Sequence, residues 1–144
     1  MTPEISYADP AVFLDKLPFV REYGIKIVHS EPGEVVVEMP IEARFSTPPA
    51  NVPASIVGTI GDVAAVASCL SKVPPGWAVA TLDFTVKMTG PASGIKLIAR
   101  GRVLQNGRTN SIGAADIYCI TEEKELHCGT LLATTRNFEI KRSS

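Results

Sequence analysis

Apolar positions along this chain alternate between helical and strand spacing. From Asp9-Pro10 they recur with Val12, Phe13 and Leu17 on one side, which predicts a short amphipathic helix, ended by Pro18, that packs as a lid. Two strands are predicted next, Gly24 to His29 and Glu34 to Ile41. They are joined by Glu31-Pro32-Gly33, where proline fixes φ and glycine supplies the permissive position. Residues 42–53 contain Ser46-Thr-Pro-Pro-Ala-Asn51, which cannot hold regular structure and reads as a loop. From about Ser55 to Lys72 the chain is apolar almost all round, as expected of a helix at the centre of a core, and Pro74-Pro75-Gly76 stops it. Gly58 and Gly61 each weaken such a helix by up to about 1 kcal/mol, tolerable where a sheet approaches closely.

Beyond Trp77 the period is two. Between Trp77 and Met88, one face carries Ala78, Ala80, Leu82, Phe84, Val86 and Met88 and is expected against the buried helix; Thr81 falls on the opposite face. Ile95 to Gln105, Arg108 to Thr121 and Leu126 to Ile140 continue the run as a meander. Asn106-Gly107 predicts a type I′ turn, and residues 122–125 a polar one. The architecture expected is α+β, a long curved antiparallel sheet wrapped around one central apolar helix. At 144 residues the chain suits a single domain spanning 1–144.

Asp62 interrupts the apolar helix. A carboxylate taken out of water must be hydrogen-bonded or have its pKa forced upward, so this position is either a structural pairing, for instance with Arg136, or a site of chemistry. A formal net charge of −1 gives no basic face for nucleic acid or anionic membrane. The apolar run around Asp62 is too short, and charged at its centre, for a membrane span. The N-terminus carries no secretory pattern. Cys69, Cys119 and Cys128 lie in apolar or strand-like runs without metal-ligand spacing, which suits reduced core residues in a cytoplasmic protein and no metal. Adjacent His127 and Cys128 point to opposite faces of a strand, so they make a poor ligand pair. His29 and His127 read as surface residues of their strands.

Four segments together resemble the hotdog-fold acyl-CoA thioesterases of the phenylacetate-degradation (PaaI-like) type. They are the Glu31–Ile41 hairpin, the helix with Asp62, the strand Ala80-Thr-Leu-Asp-Phe-Thr-Val-Lys-Met-Thr-Gly-Pro-Ala92, and the turn Gln105-Asn-Gly-Arg-Thr109. The resemblance spans roughly residues 18–140 and implies a hotdog fold. In that family a His-Gly-Gly stands at the helix entrance, nine residues before an acid; here Pro53-Ala54-Ser55 occupies its place and Asp62 keeps the acid. The resemblance implies catalytic roles for Asp62, as general base or nucleophile, and for Thr81, which the family sets across a dimer interface from the acid. It implies substrate contacts at Ala54, whose N–H would polarise the thioester carbonyl, at Ser55, and at Thr47 or the nearby Asn51. Coenzyme A brings phosphates, for which Arg100, Arg102, Lys72 and above all Arg108 at its hairpin turn are candidates.

The expected activity is hydrolysis of aliphatic or aromatic acyl-CoA thioesters by a homodimer or homotetramer, with no cofactor beyond the coenzyme A of the substrate. The alternative is a non-catalytic protein that binds acyl-CoA or a small aromatic ligand and has lost the carbonyl-polarising motif. A hydratase would want an Asp and a His a few residues apart, and none stands near Asp62.

Overall fold

Strand and helix meet closely in this molecule, so that a Cβ at either of two helix positions would crowd the side chains of the sheet. In the computed structural model, which describes residues 6–48 and 50–141, helix α3 (Ala54–Leu70) lies across a six-stranded antiparallel sheet. A Cβ added at Gly61 would stand 3.0 Å from Ile117 Cδ1 and 3.2 Å from Leu131 Cβ, and one at Gly58 would stand 3.0 Å from the Phe84 ring. Removing those side chains lets Ile60, Val57, Ala64 and Ala65 pack directly onto Leu97, Ala99, Ile117 and Leu131, all essentially solvent-free. Met1 to Ile5, within the stretch where no secretory pattern is read, and Pro49 of the loop lie outside the described residues.

The strands are β1 (Lys26–Glu31), β2 (Glu34–Pro40), β3 (Trp77–Met88), β4 (Lys96–Asn106), β5 (Asn110–Ile120) and β6 (Glu125–Glu139). Their order across the sheet is β1-β2-β4-β5-β6-β3. The expected meander therefore holds for β4, β5 and β6 but not for β3, which pairs with β6 and forms the far edge. Pro32-Gly33 closes the first hairpin as expected, with Gly33 at φ +90°. Asn106-Gly107 does not form a type I′ turn. Gly107 lacks the positive φ that such a turn needs, and the pairing Asn106↔Ser111 leaves a wider loop fastened by Asn137 Nδ2, which donates to Gly107 O at 2.9 Å.

Two serines sew the first hairpin to the end of α3. Ser68 Oγ accepts from Val35 N–H at 3.0 Å and donates to Ala64 O at 2.7 Å. Ser71 Oγ accepts from Gly33 N–H at 2.8 Å and donates to Ser68 O at 2.6 Å. Both hydroxyls are buried and fully used, as buried polar groups must be.

Ahead of the sheet lie two short helices, α1 (Pro10–Asp15) and α2 (Pro18–Glu22). Asp9 caps α1 by accepting from Ala11 N–H at 2.9 Å, and Pro10 sits at the first helical position, where its missing donor costs nothing. Pro18 does the same for α2, so it begins a second helix as well as ending the first. α1 packs on α3 through buried Leu14, whereas Val12, expected on the inner side, is 55% exposed. Gly61→Val should therefore lower the unfolding free energy by about 1–3 kcal/mol, because the added branches meet backbone-anchored side chains on β5 and β6; a urea titration reads this directly.

Candidate active site

The sheet covers α3 everywhere except along one stripe. Ser55, Thr59 and Asp62, at i, i+4 and i+7, share a helix face and are exposed or half-buried, while the rest of the helix beyond its first turn is almost wholly buried. Asp62 is thus half-buried, less enclosed than its apolar sequence context suggests. Its Oδ1 accepts a hydrogen bond from Thr81 Oγ1 at 2.8 Å, and among the described residues nothing else in the chain bonds the carboxylate, which leaves Oδ2 free. Arg136, the structural partner considered for Asp62, is exposed and does not pair with it.

Thr81 reaches Asp62 because β3 carries a bulge. Register passes from Thr81↔Thr135 to Asp83↔Thr134, so Leu82 is an extra residue and the alternation changes phase there. Before the bulge Val79 and Thr81 face the helix; after it Phe84 and Val86 do, their side chains lying within 3.6 Å of where a Gly58 Cβ would stand. Strict alternation put Thr81 on the outer face, and Ala78, Ala80 and Leu82 inward; the structure reverses this half of the strand. It also corrects the expectation that Thr81 meets the acid across a dimer interface, since both belong to one chain.

The pair opens into a cavity of about 190 Å³. Phe13, Leu14, Leu17 and Phe19 of the lid segment form its roof, Val63 and Val66 of α3 its floor, and Val79 its side. Burial among these apolar groups pushes the Asp62 carboxyl above its ordinary pKa, and the Thr81 hydrogen bond, which favours the charged form, offsets part of that rise. Such a carboxylate is a stronger base than one in water. Leu14, Phe19, Val63, Val66 and Val79 were not singled out by sequence reasoning; for Leu14 the three-residue spacing to Leu17 was the available signal.

The remaining candidates lie elsewhere. Thr47 and Asn51 form an exposed bridge with each other, Thr47 N–H to Asn51 O at 2.7 Å and Asn51 N–H to Thr47 O at 2.9 Å, and Thr47 Oγ1 also donates to Asn51 O at 3.0 Å. Ala54 and Ser55 begin α3, exposed. At 1.5 Å per residue Ala54 stands about 12 Å along the axis from Asp62, too far for both to touch one carbonyl within a single chain. Arg108 lines another cavity of about 260 Å³ with Lys72 and Trp77, past the other end of α3. Among the described residues it has no carboxylate within 4 Å, whereas Arg100 pairs with Glu125 and Arg102 with Asp116 at 2.8 Å. Lys72 Nζ lies 5.0 Å from the centre of the Tyr7 ring.

The histidines have spatial partners that sequence reasoning did not supply. His29 Nε2 is 3.2 Å from Glu31, and with Glu34 the three offer ligand atoms within 4.8 Å of one another on the exposed first hairpin. His127 Nδ1 is 2.7 Å from Thr89 Oγ1, and its Nε2 is 3.5 Å from Asp116. Cys128 is buried on the other face from exposed His127, and burial pushes its thiol up to about 12 and that of Cys69 to about 11. No described helix is long and apolar enough to cross a membrane.

No protein-family model matches the chain, and no curated protein does. Solved structures do. The fold is similar to that of a thioesterase family protein from Silicibacter pomeroyi, with a TM-score of 0.88 at 26% identity over 90% of this chain and 96% of that one. A thioesterase from Haemophilus influenzae matches with a TM-score of 0.80 at 20% identity, covering 90% of this chain and 89% of its own. The PaaI protein from the phenylacetic acid degradation operon of E. coli matches with a TM-score of 0.80 at 17% identity, covering 92% and 94%. The chain therefore has the hotdog fold of the thioesterases. Its likeness to the PaaI protein is one of fold.

Stability should carry the mark of Asp62. Between the ordinary Asp pKa of about 3.9 and the raised folded value, the folded chain keeps a proton that the unfolded chain has lost, so stability is fullest below that window and falls as pH rises through it. Asp62→Asn removes this fall. Urea unfolding from about pH 3 to about pH 7 should show the variant gaining on the wild type as pH rises; parallel curves would mean that the carboxyl titrates normally.

Proposed function

We propose that the protein hydrolyses acyl-CoA thioesters, with Asp62 as general base or nucleophile. The observation that carries this reading is a half-buried carboxylate, held on one oxygen by Thr81 and lining an apolar cavity, within a thioesterase fold. Acting as base, Asp62 takes a proton from water as the water oxygen attacks the thioester carbonyl; the tetrahedral intermediate then collapses and expels the thiolate, which is protonated to free coenzyme A. Thr81 fixes the carboxylate and leaves Oδ2 for the water. As nucleophile, the same oxygen would attack the carbonyl and expel the coenzyme A thiolate, leaving a mixed anhydride that water hydrolyses to the free acid and the regenerated Asp62 carboxylate.

The developing oxyanion needs a donor, and in this reading Ala54 N–H at the positive end of α3 supplies it. The distance of about 12 Å along the helix requires that it come from a second copy of the chain. β3 is the place for that copy: a long edge strand with Leu82 58%, Phe84 41% and Met88 40% exposed, whose unpaired backbone is a template for another strand. A homodimer, with pairing into a homotetramer open, is the assembly proposed. Coenzyme A would run from the Asp62 cavity past Phe13, which lines both it and the adjoining groove of about 460 Å³, to Trp77, which that groove shares with the Arg108 cavity. Lys72 and Arg108 would meet the phosphates there.

Pro53-Ala54-Ser55 favours the second reading, a binder of acyl-CoA or a small aromatic ligand without turnover. Asp62→Asn separates the two: turnover of the best acyl-CoA should drop at least about a hundredfold with folding intact, and an undiminished rate would remove Asp62 from the chemistry. Tight binding of a non-hydrolysable analogue with no turnover in wild type would establish the binder. Arg108→Ala should raise KM for acyl-CoA roughly tenfold, the worth of one charged hydrogen bond. It should leave KM unchanged for the matching N-acetylcysteamine thioester, which has no phosphate.

A further inference from the structure

The cavity beside Asp62 is small, and a larger one lies directly behind its roof. The second, of about 490 Å³, sits between the two lid helices and β1, with Val20, Ile25 and Ile27 in its wall and Asp15, Arg21 and Lys26 also lining it. Leu14 and Leu17 line both cavities. They are the chain's common surface between the two spaces, one leucine near the end of α1 and the other in the link to α2.

We infer that Leu14 and Leu17 form a partition that sets the length of acyl group the Asp62 site accepts, limiting it to a short aliphatic chain or a single aromatic ring. This deepens the thioesterase reading and rests on it. A methylene or ring carbon takes about the room of a water molecule, about 30 Å³, so 190 Å³ holds about six such groups beyond the carbonyl. That is below the 300–1,000 Å³ of sites for drug-sized ligands. With coenzyme A assigned to the groove past Phe13, the apolar way onward for a longer chain is through the two leucines. Beyond them Val20, Ile25 and Ile27 would receive its methylenes, and Asp15, Arg21 and Lys26, all exposed, keep the far space in contact with water. Leu14 is 5% exposed and belongs to the core, so it is the fixed part of the wall. Leu17 is half-buried, outside both helices, and is the part that can be cut back without emptying the core.

The test is the chain-length profile of Leu17→Ala. Wild type should prefer hexanoyl-CoA or phenylacetyl-CoA to decanoyl-CoA. In the variant the ratio of kcat/KM for decanoyl-CoA to that for butanoyl-CoA should rise at least about tenfold, since each methylene newly accommodated is worth tenfold or more. Leu17→Met, close in volume, should keep the wild-type profile, and Leu17→Trp should lower the hexanoyl-to-butanoyl ratio. If Leu17→Ala, folded by circular dichroism, leaves the profile where it was, the partition does not exist. If wild type turns over no thioester, the thioesterase reading fails by itself, and calorimetric binding of the corresponding non-hydrolysable S-alkyl coenzyme A series still decides the partition: Leu17→Ala must shift the preferred chain length upward, or the inference falls.

Discussion

The distance between α3 and its sheet governs the rest of this molecule. Glycines at 58 and 61 remove the side chains that would otherwise hold helix and strands apart, and the two surfaces then bury each other almost completely. A helix so enclosed has little water left along it. What remains is the stripe Ser55–Thr59–Asp62, beside the free edge of β3, and the one carboxylate on the helix lies there. Its raised pKa follows from the same packing: apolar neighbours from the lid, α3 and β3 withdraw solvent without supplying a counter-charge.

Much of the architecture could be read from the sequence because helix and strand periods are long and uninterrupted here. The apolar helix, its glycines, the Pro32-Gly33 turn and every strand appear within a few residues of the positions the pattern indicates. Strand order was less legible, since alternation says which face a residue takes and not which strand lies beside it. Nothing in Trp77–Met88 announces that its neighbour is β6. The wide loop after Asn106 shows the same limit, because Asn137, thirty residues away from Gly107 in sequence, fastens it.

At the site, Asp62 was legible as the single charge in an apolar run, and Thr81 through resemblance. The direction of Thr81 was not. One inserted residue, Leu82, changes the parity of β3, and period-two reasoning carried across a bulge misplaces one side of it. The lid residues were hidden for another reason: in helices of six and five residues a hydrophobic pattern has barely two turns in which to show itself, so Leu14 rather than Val12 proved to be the buried position. Thr47, Asn51, Ala54, Ser55 and Arg108 are all on the surface and separate from Asp62 in a single chain, a separation that spacing along the sequence does not reveal.

The serine seam described above also divides the molecule mechanically. Ser68 and Ser71 anchor the first hairpin at its tip, through Val35 and Gly33, to the far end of α3, so that end cannot lift without stranding buried hydrogen-bond donors. The opposite end of β1 continues through Gly24, at φ +70°, into the two lid helices, where Ile25 N–H donates to Val20 O at 2.9 Å, Ala8 N–H to Val73 O at 2.9 Å and Arg44 Nη2 to Glu22 O at 2.6 Å. The two ends of the hairpin are therefore fastened differently: by buried side-chain hydroxyls where it meets the core, and by backbone bonds and an exposed arginine where it meets the roof. Losing either serine would strand a buried N–H, whereas losing Arg44 would give up only an exposed contact.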